Sequence, residues 1–228
     1  MSAGPKDEIG ADLRHVTTWL FDLDNTLYPV ESGFMSQLEV RMTAFVMRAT
    51  GLARDEAYRL QKDYLAEHGL TLRGLMLNHG VDPAEFHRIF HDVSLEALAH
   101  DPELVAALAA LPGRRLIFTN ADDVHAERVL ARLGLTDLFD DVFHIGSSDY
   151  QPKPDPAAFA AIGRAHAIVP AETCFFEDSE RNLEPAAELG MTTVLVGPHA
   201  QASTAPFVTY RTAHLTPFLR QARLGDAA

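Results

Sequence analysis

WLFDLDNTL, residues 19–27, decides how this chain is read, because an apolar run enters two carboxylates and then turns. Trp19, Leu20 and Phe21 have the character of a buried strand. Asp22 and Asp24 follow at once, and Asn25 and Thr26 turn the chain away. A strand that stops at Asp-x-Asp sets both acids at the carboxyl edge of a sheet, where open α/β folds bind ligands. Two acids this close repel each other unless a cation or a proton lies between them. The stretch therefore asks for a metal.

Downstream of this strand the pattern is helical. Residues 32–50 place Phe34, Leu38, Met42, Phe45, Val46 and Ala49 at spacings of three and four, and Gly51 closes the run. Further helices are predicted over 54–68 and 71–79, and a fourth begins with Asp82 as N-cap and Pro83 in the first helical position. No strand is predicted between 30 and 110. From 114 the rhythm becomes strand–helix–strand. Strands are expected at 115–119, 142–145, 173–177 and 192–196. Between them lie helices at 123–133, 155–167 and 180–189. In the first of these Val124, Val129, Leu130 and Leu133 face inward and Gly134 ends the run. Pro154 and Pro156 open the second, and Thr216-Pro217 starts a short terminal helix. Residues 1–15 are polar and expected to fray.

Five apolar β runs, four of them alternating with helices, predict a mostly parallel sheet covered on both faces. The fold class is α/β, with a Rossmann-like parallel-sheet core at 1–29 and 111–228. An all-helical cap, 30–110, is inserted after the first strand, with hinges expected at 28–32 and 101–113.

The 228 residues are 47% hydrophobic and 22% charged, as in an ordinary globular protein. A net charge of −13 argues against a nucleic-acid polymer or an anionic membrane as partner. The opening MSAGPKDEIG has no apolar leader-like segment, and no run approaches a membrane span. The single cysteine, Cys174, excludes a disulfide scaffold and is read as a buried thiol in a reducing cytoplasm.

Four predicted strands end in polar residues of different chemistry. The first gives Asp22 and Asp24, the second Thr119-Asn120, and the fourth Glu177-Asp178-Ser179. Lys153 follows the third, inside QPKPDP. Carboxylates with no Cys or His cluster beside them select a hard cation such as Mg²⁺. Lys153 and the Thr119 hydroxyl suit the oxygens of an anion. The set fits phosphoryl transfer, in which one Asp attacks phosphorus in line and the other moves the leaving group's proton.

DLDNT, TN, the Lys of PKPDP and EDS, in this order, resemble the four motifs of the haloacid dehalogenase superfamily of phosphatases, and the resemblance spans nearly the whole chain. It implies a Mg²⁺-dependent phosphomonoester hydrolase with Asp22 as nucleophile, forming an aspartyl-phosphate, and Asp24 as general acid/base. It further implies that Asp22, the main-chain carbonyl of Asp24 and Asp178 hold the metal, while Thr119 and Lys153 bind the phosphoryl group. Glu177 joins the metal directly or through water in some relatives. The superfamily's dehalogenases lack the second Asp, so the presence of Asp24 points away from dehalogenation. DLDNTLYP with Gly33, GLTLRGLM and LPGRRLIFTNADDVHAERVLARLGL are similar to the pyrimidine 5′-nucleotidase branch. That likeness implies a small phosphorylated metabolite as partner, a nucleoside 5′-monophosphate. The alternatives are a phosphatase or phosphomutase for a sugar phosphate, or a non-catalytic binding protein.

Several residues keep two readings. Asn120 either contacts phosphate through its amide or stabilises a turn. Asn182 either orients Lys153 or the metal acids, or is a first-turn helix residue, and Ser179 reads as an N-cap. Arg73 is the cap's candidate for the leaving group, or else a surface arginine. His87 and His91 stand four apart without a third ligand, and are read as a partly exposed helix face. Met35, Met42 and Met47 read as helix packing.

Overall fold

A computed structural model describes residues 10–225. Its centre is a six-stranded, all-parallel sheet in the order β4-β3-β2-β5-β6-β7. Strand β2 is Thr18–Phe21, β3 Arg114–Phe118, β4 Asp141–Phe143, β5 Thr173–Glu177, β6 Thr192–Val196 and β7 Tyr210–Thr212. The first strand of the chain, β1 (Asp12–Leu13), pairs in parallel with β8 (Arg223–Leu224) as a separate ribbon. The frayed segment expected at 1–15 is thus corrected over 10–15, and 1–9 lie outside the described residues.

Strand β2 has β3 on one side and β5 on the other, so the sheet order reverses there. Side chains alternate between two buried faces, as the pleat requires. Trp19, Phe21, Ile117, Cys174 and Phe176 enter one core, while Leu20, Leu116, Phe118 and Phe175 enter the other. The first core is covered by α5 (Pro102–Ala109), α6 (Asp123–Leu133) and α9 (Leu215–Gln221). The second is covered by α7 (Pro156–Ala165) and α8 (Glu180–Glu188). Near-continuous apolar strands are what such two-sided burial demands.

Between β2 and β3 the chain is helical: α1 (Phe34–Thr50), α2 (Arg54–His68), α3 (Thr71–His79) and α4 (Pro83–His87) precede α5. These helices pack through Phe34, Leu38, Phe45, Leu72, Leu75 and Phe86 onto the same core as α6. At Gly69 the backbone of this block lies against the loop that carries Lys153. The φ of Gly69 is +78°, and a Cβ there would lie 3.0 Å from the carbonyl oxygen of Lys153.

Three local expectations are corrected, and the N-cap position of Ser179 holds. The segment expected as a hinge at 101–113 contains helix α5, begun by the Asp101 side chain accepting from the Glu103 amide at 2.9 Å with Pro102 behind it. The terminal helix begins at Leu215 with His214 as its N-cap, and Thr216 instead donates its hydroxyl to Asp101 Oδ2 at 3.0 Å. Val124 faces solvent, because α6 buries His125, Ala126, Val129, Leu130 and Leu133. Ser179 is the N-cap residue of α8, but its side chain makes no capping bond.

Candidate active site

Asp22 emerges from β2 with its amide donating to the Phe176 carbonyl, so it continues the ladder one residue past the strand. Asn25 then takes φ of +62°, a left-handed turn that asparagine tolerates better than most residues. The turn brings the Thr26 hydroxyl to Asp22 Oδ2 at 3.3 Å. It also lets Asn25 Nδ2 donate to Asp178 Oδ2 at 3.2 Å.

Lys153 enters from the loop after β4. It is almost wholly buried, and its ammonium donates to Asp22 Oδ1 at 2.7 Å, Glu177 Oε2 at 2.7 Å and the Phe118 carbonyl at 2.6 Å. All three of its protons are therefore used inside the protein. Asn120 holds the main chain of this lysine, accepting from Lys153 N at 2.8 Å and donating to Lys153 O at 3.1 Å. Asn120 thus brackets Lys153, and it also lines the cavity over the acids. Glu177 Oε1 accepts from Asn182 Nδ2 at 3.1 Å and from the Ser179 amide at 3.2 Å. Asn182 thus orients an acid rather than the lysine. The Thr119 hydroxyl accepts from the Ala121 amide at 3.0 Å, which leaves its own proton to donate.

Four carboxylates, Asp22, Asp24, Glu177 and Asp178, meet one ammonium here. Burial followed by the neighbouring Glu177 pushes the Asp22 carboxyl up to about 7, against the pull of Lys153. Burial likewise raises Glu177 to about 7 and Asp178 to about 6. One oxygen of each of Asp22, Glu177 and Asp178 lies within 4.8 Å of the others. Such a cluster of hard oxygen donors, short of positive charge, fits a divalent cation of the Mg²⁺ type.

Asp24 is handled differently. Its Oδ1 accepts from the Tyr28 hydroxyl at 2.6 Å and from His125 Nε2 at 2.9 Å. Burial opposes ionisation, but the His125 charge and both hydrogen bonds prevail and hold this carboxyl below its ordinary value. His125 is a functional neighbour that sequence reading missed. The signal was its place four residues before Val129 on the buried stripe of α6.

Above these groups lies a cavity of about 460 Å³. Its floor is Asp22, Asp24, Thr119, Lys153, Glu177 and Asp178, and its roof includes Met35, Met42, Leu70, Phe86, His87 and Phe90. Met35 and Met42 therefore face the site as well as packing in the helix. Arg73 does not reach this cavity; it lies in an outer cleft beside Gln151, Pro152 and Pro154. The cations on the cavity wall are instead Lys62 and Arg181, and Arg181 donates to the carbonyls of Leu65 at 3.0 Å and Gly69 at 3.1 Å. His87 and His91 are not an exposed face either. Helix α4 ends at His87, His91 Nε2 bonds Asp122 Oδ2 at 2.6 Å, and buried His87 stands 3.9 Å from the same oxygen.

A family model described as haloacid dehalogenase-like hydrolase matches residues 16–190. The chain belongs to this family. Phosphate metabolism protein 8 of Saccharomyces cerevisiae is 30% identical over 193 residues, which cover 78% of this chain and 60% of that protein. The chain therefore spans about 60% of that relative's length. A HAD phosphatase from Thermococcus onnurineus shares the fold with a TM-score of 0.60 at 20% identity, over 90% of this chain and 97% of that one. The HAD-hydrolase YfnB of Bacillus subtilis, solved bound to magnesium, gives a TM-score of 0.56 at 17% identity over the same shares. The L-2-haloacid dehalogenase of Xanthobacter autotrophicus gives 0.55 at 19% identity, again over 90% and 97%. The protein is thus a hydrolase of the HAD fold. Among the described residues no helix is long and apolar enough to cross a membrane.

Proposed function

We propose that this hydrolase is a Mg²⁺-dependent phosphoric monoester hydrolase that works through an aspartyl-phosphate on Asp22. The observation that carries the reading is the division of labour between the two acids that follow β2. Asp22 is held by Lys153 and Thr26 beside Glu177 and Asp178, while Asp24 faces the same cavity bound to His125 and Tyr28. A nucleophile pinned in a cation site and a proton carrier two residues on are the two parts that phosphate transfer to a carboxylate requires.

In the first half-reaction an Asp22 oxygen bonds to phosphorus as the ester P–O bond breaks, and Asp24, which takes up a proton once the anionic phosphate lies beside it, passes that proton to the departing oxygen. In the second, Asp24 takes a proton from water, the water oxygen bonds to phosphorus, and the bond to Asp22 breaks to release inorganic phosphate. The Thr119 hydroxyl donates to a phosphoryl oxygen, and Lys153 keeps Asp22 aimed. The cation would be held by the carboxylates of Asp22 and Asp178 and the main-chain carbonyl of Asp24, with Glu177 bound directly or through water. Bound there, Mg²⁺ supplies positive charge against the phosphoryl oxygens.

The segment 30–110, with helices α1 to α5, is read as a cap set on a core of 1–29 and 111–228. Movement between the two would exclude bulk water. YfnB, solved bound to magnesium and with interdomain movement, supports both parts of this reading. The substrate is read as a pyrimidine nucleoside 5′-monophosphate. A roof of Phe86, Phe90, Met35 and Met42 suits a flat base. A single buried cysteine accords with a reducing cytoplasm.

The test is phosphate release from UMP, CMP and a panel of sugar phosphates. EDTA should silence the enzyme and Mg²⁺ restore it. Turnover of UMP or CMP no faster than that of sugar phosphates would sink the nucleotide reading and spare the phosphatase.

A further inference from the structure

Asp24 presents its two oxygens unequally. Oδ1 accepts both the Tyr28 hydroxyl at 2.6 Å and His125 Nε2 at 2.9 Å, whereas no described residue donates to Oδ2. Both donors are themselves fixed. The His125 amide donates to Asp122 Oδ1 at 3.0 Å, and the other oxygen of Asp122 takes His91 from the helical block. Phe34, the first residue of α1, stacks on the His125 ring at 6.0 Å and meets the Tyr28 ring edge-on at 5.8 Å. The buried trio of Tyr28, Phe34 and His125 closes around one side of Asp24.

An unrestrained carboxylate can rotate and offer either oxygen. Two donors converging on one oxygen remove that freedom and leave the other pointing into the cavity that Asp24 lines. We infer that His125 and Tyr28 are positioning residues, which hold Asp24 by Oδ1 so that Oδ2 meets the oxygen of the leaving group. The inference rests on the reading of Asp24 as the group that protonates that oxygen. It adds where the alignment comes from: one donor on the exit of β2, one on α6, and both braced by the first helix of the block above.

The consequence is selective. Only esters whose leaving oxygen needs a proton depend on Oδ2. 4-Nitrophenyl phosphate releases a stable phenolate, whereas a nucleoside 5′-monophosphate releases an alkoxide. The measurable quantity is the ratio of kcat/KM for the nucleotide to kcat/KM for 4-nitrophenyl phosphate, since kcat/KM reports only the steps through the first bond cleavage. His125→Leu should lower this ratio by about 10²-fold, the lower end of general-acid contributions, and Tyr28→Phe by about tenfold, since one of the two donors remains. His125→Gln keeps a side-chain N–H and should recover most of the ratio.

A structural role alone would slow both esters together. An unchanged ratio in His125→Leu and in Tyr28→Phe would overturn the inference. If His125→Leu fails to fold, Tyr28→Phe decides by the same ratio. Where a sugar phosphate of the panel is turned over better than the nucleotide, it takes the nucleotide's place in the ratio; a wild-type enzyme that releases phosphate from no ester of the panel would remove the phosphatase reading, and this inference with it. A wild type active on both with an unmoved ratio removes the inference alone.

Discussion

Lys153 Nζ stands 2.7 Å from Asp22 Oδ1 and 2.7 Å from Glu177 Oε2, with all three groups buried. The ammonium is the only positive charge that touches these two acids among the described residues. A buried pair of this kind contributes little net stability against a well-packed apolar substitute, but breaking it leaves charge without a partner. Lys153→Ala should therefore cost about 3–5 kcal/mol of unfolding free energy at pH 8, measured by urea denaturation of the metal-free protein. The loss should shrink at pH 5, where the acids can take up protons instead. A cost that does not change between pH 8 and pH 5 would contradict the charge argument.

The acids themselves set a second pH dependence. Asp22 and Glu177 titrate at about 7 and Asp178 at about 6 in the fold, against about 4 in an unfolded chain. Groups with raised values bind more protons when folded. Their stabilising contribution is complete below about pH 4 and is lost as pH rises through 6 and 7. Against the background of the remaining carboxylates, replacing Glu177 by Gln should flatten this fall of stability between pH 5 and 8. Mg²⁺ should raise the Tm of the wild type more at pH 8 than at pH 5, since at low pH protons compete for the same oxygens. Differential scanning calorimetry in EDTA and in Mg²⁺ reads both effects.

Much of this architecture is legible before any coordinates. Strand β2 and its two acids, the strand at Thr173–Glu177 and the helices at 54–68 and 71–79 fall where the apolar periods and glycine stops place them. The misses have local causes. Asp101-Pro102 carries the same start signal as Asp82-Pro83, and both begin helices, but the short run after it is apolar almost throughout, so no polar face marks it as a helix. Strand β7 is short and half-buried throughout, so it lacks the apolar run of its neighbours. In α6 the inward stripe was set one residue early, at Val124. That single phase error hid His125, whose side chain reaches Asp24. Arg73 fails for another reason: a helical period reports which face is buried, not which neighbouring loop that face meets.

Gly69 links the helical block to the lysine loop. It combines φ of +78° with a would-be Cβ 3.0 Å from Lys153 O and 3.3 Å from the side chains of Pro152 and Pro154. Gly69→Ala should cost about 1–2 kcal/mol from the left-handed backbone alone. The displaced loop would also disturb the Asn120 bracket around Lys153. Thermal unfolding together with phosphate release checks this: Gly80→Ala, at a helix end with open space around the would-be Cβ, should show the backbone cost without the loss of activity.

The two arginines near the lysine loop should behave differently. Arg181 lies on the cavity wall, and its guanidinium donates to Leu65 O and Gly69 O, so it ties the end of α2 to α8. Arg73 sits in the outer cleft. Removing Arg181 leaves two carbonyls of the helical block without these donors and loosens the roof over the acids. Such side-chain to main-chain bonds from a charged donor contribute about 1.5–3 kcal/mol when buried, and less here because Arg181 is only half-buried. Arg181→Ala should therefore raise KM by about five- to tenfold, following about 1 kcal/mol of lost roof alignment, while Arg73→Ala leaves it within about twofold. Steady-state kinetics on the best nucleotide from the panel reads the contrast. A larger effect from Arg73→Ala would mean that the helical block moves far enough to carry Arg73 onto the substrate.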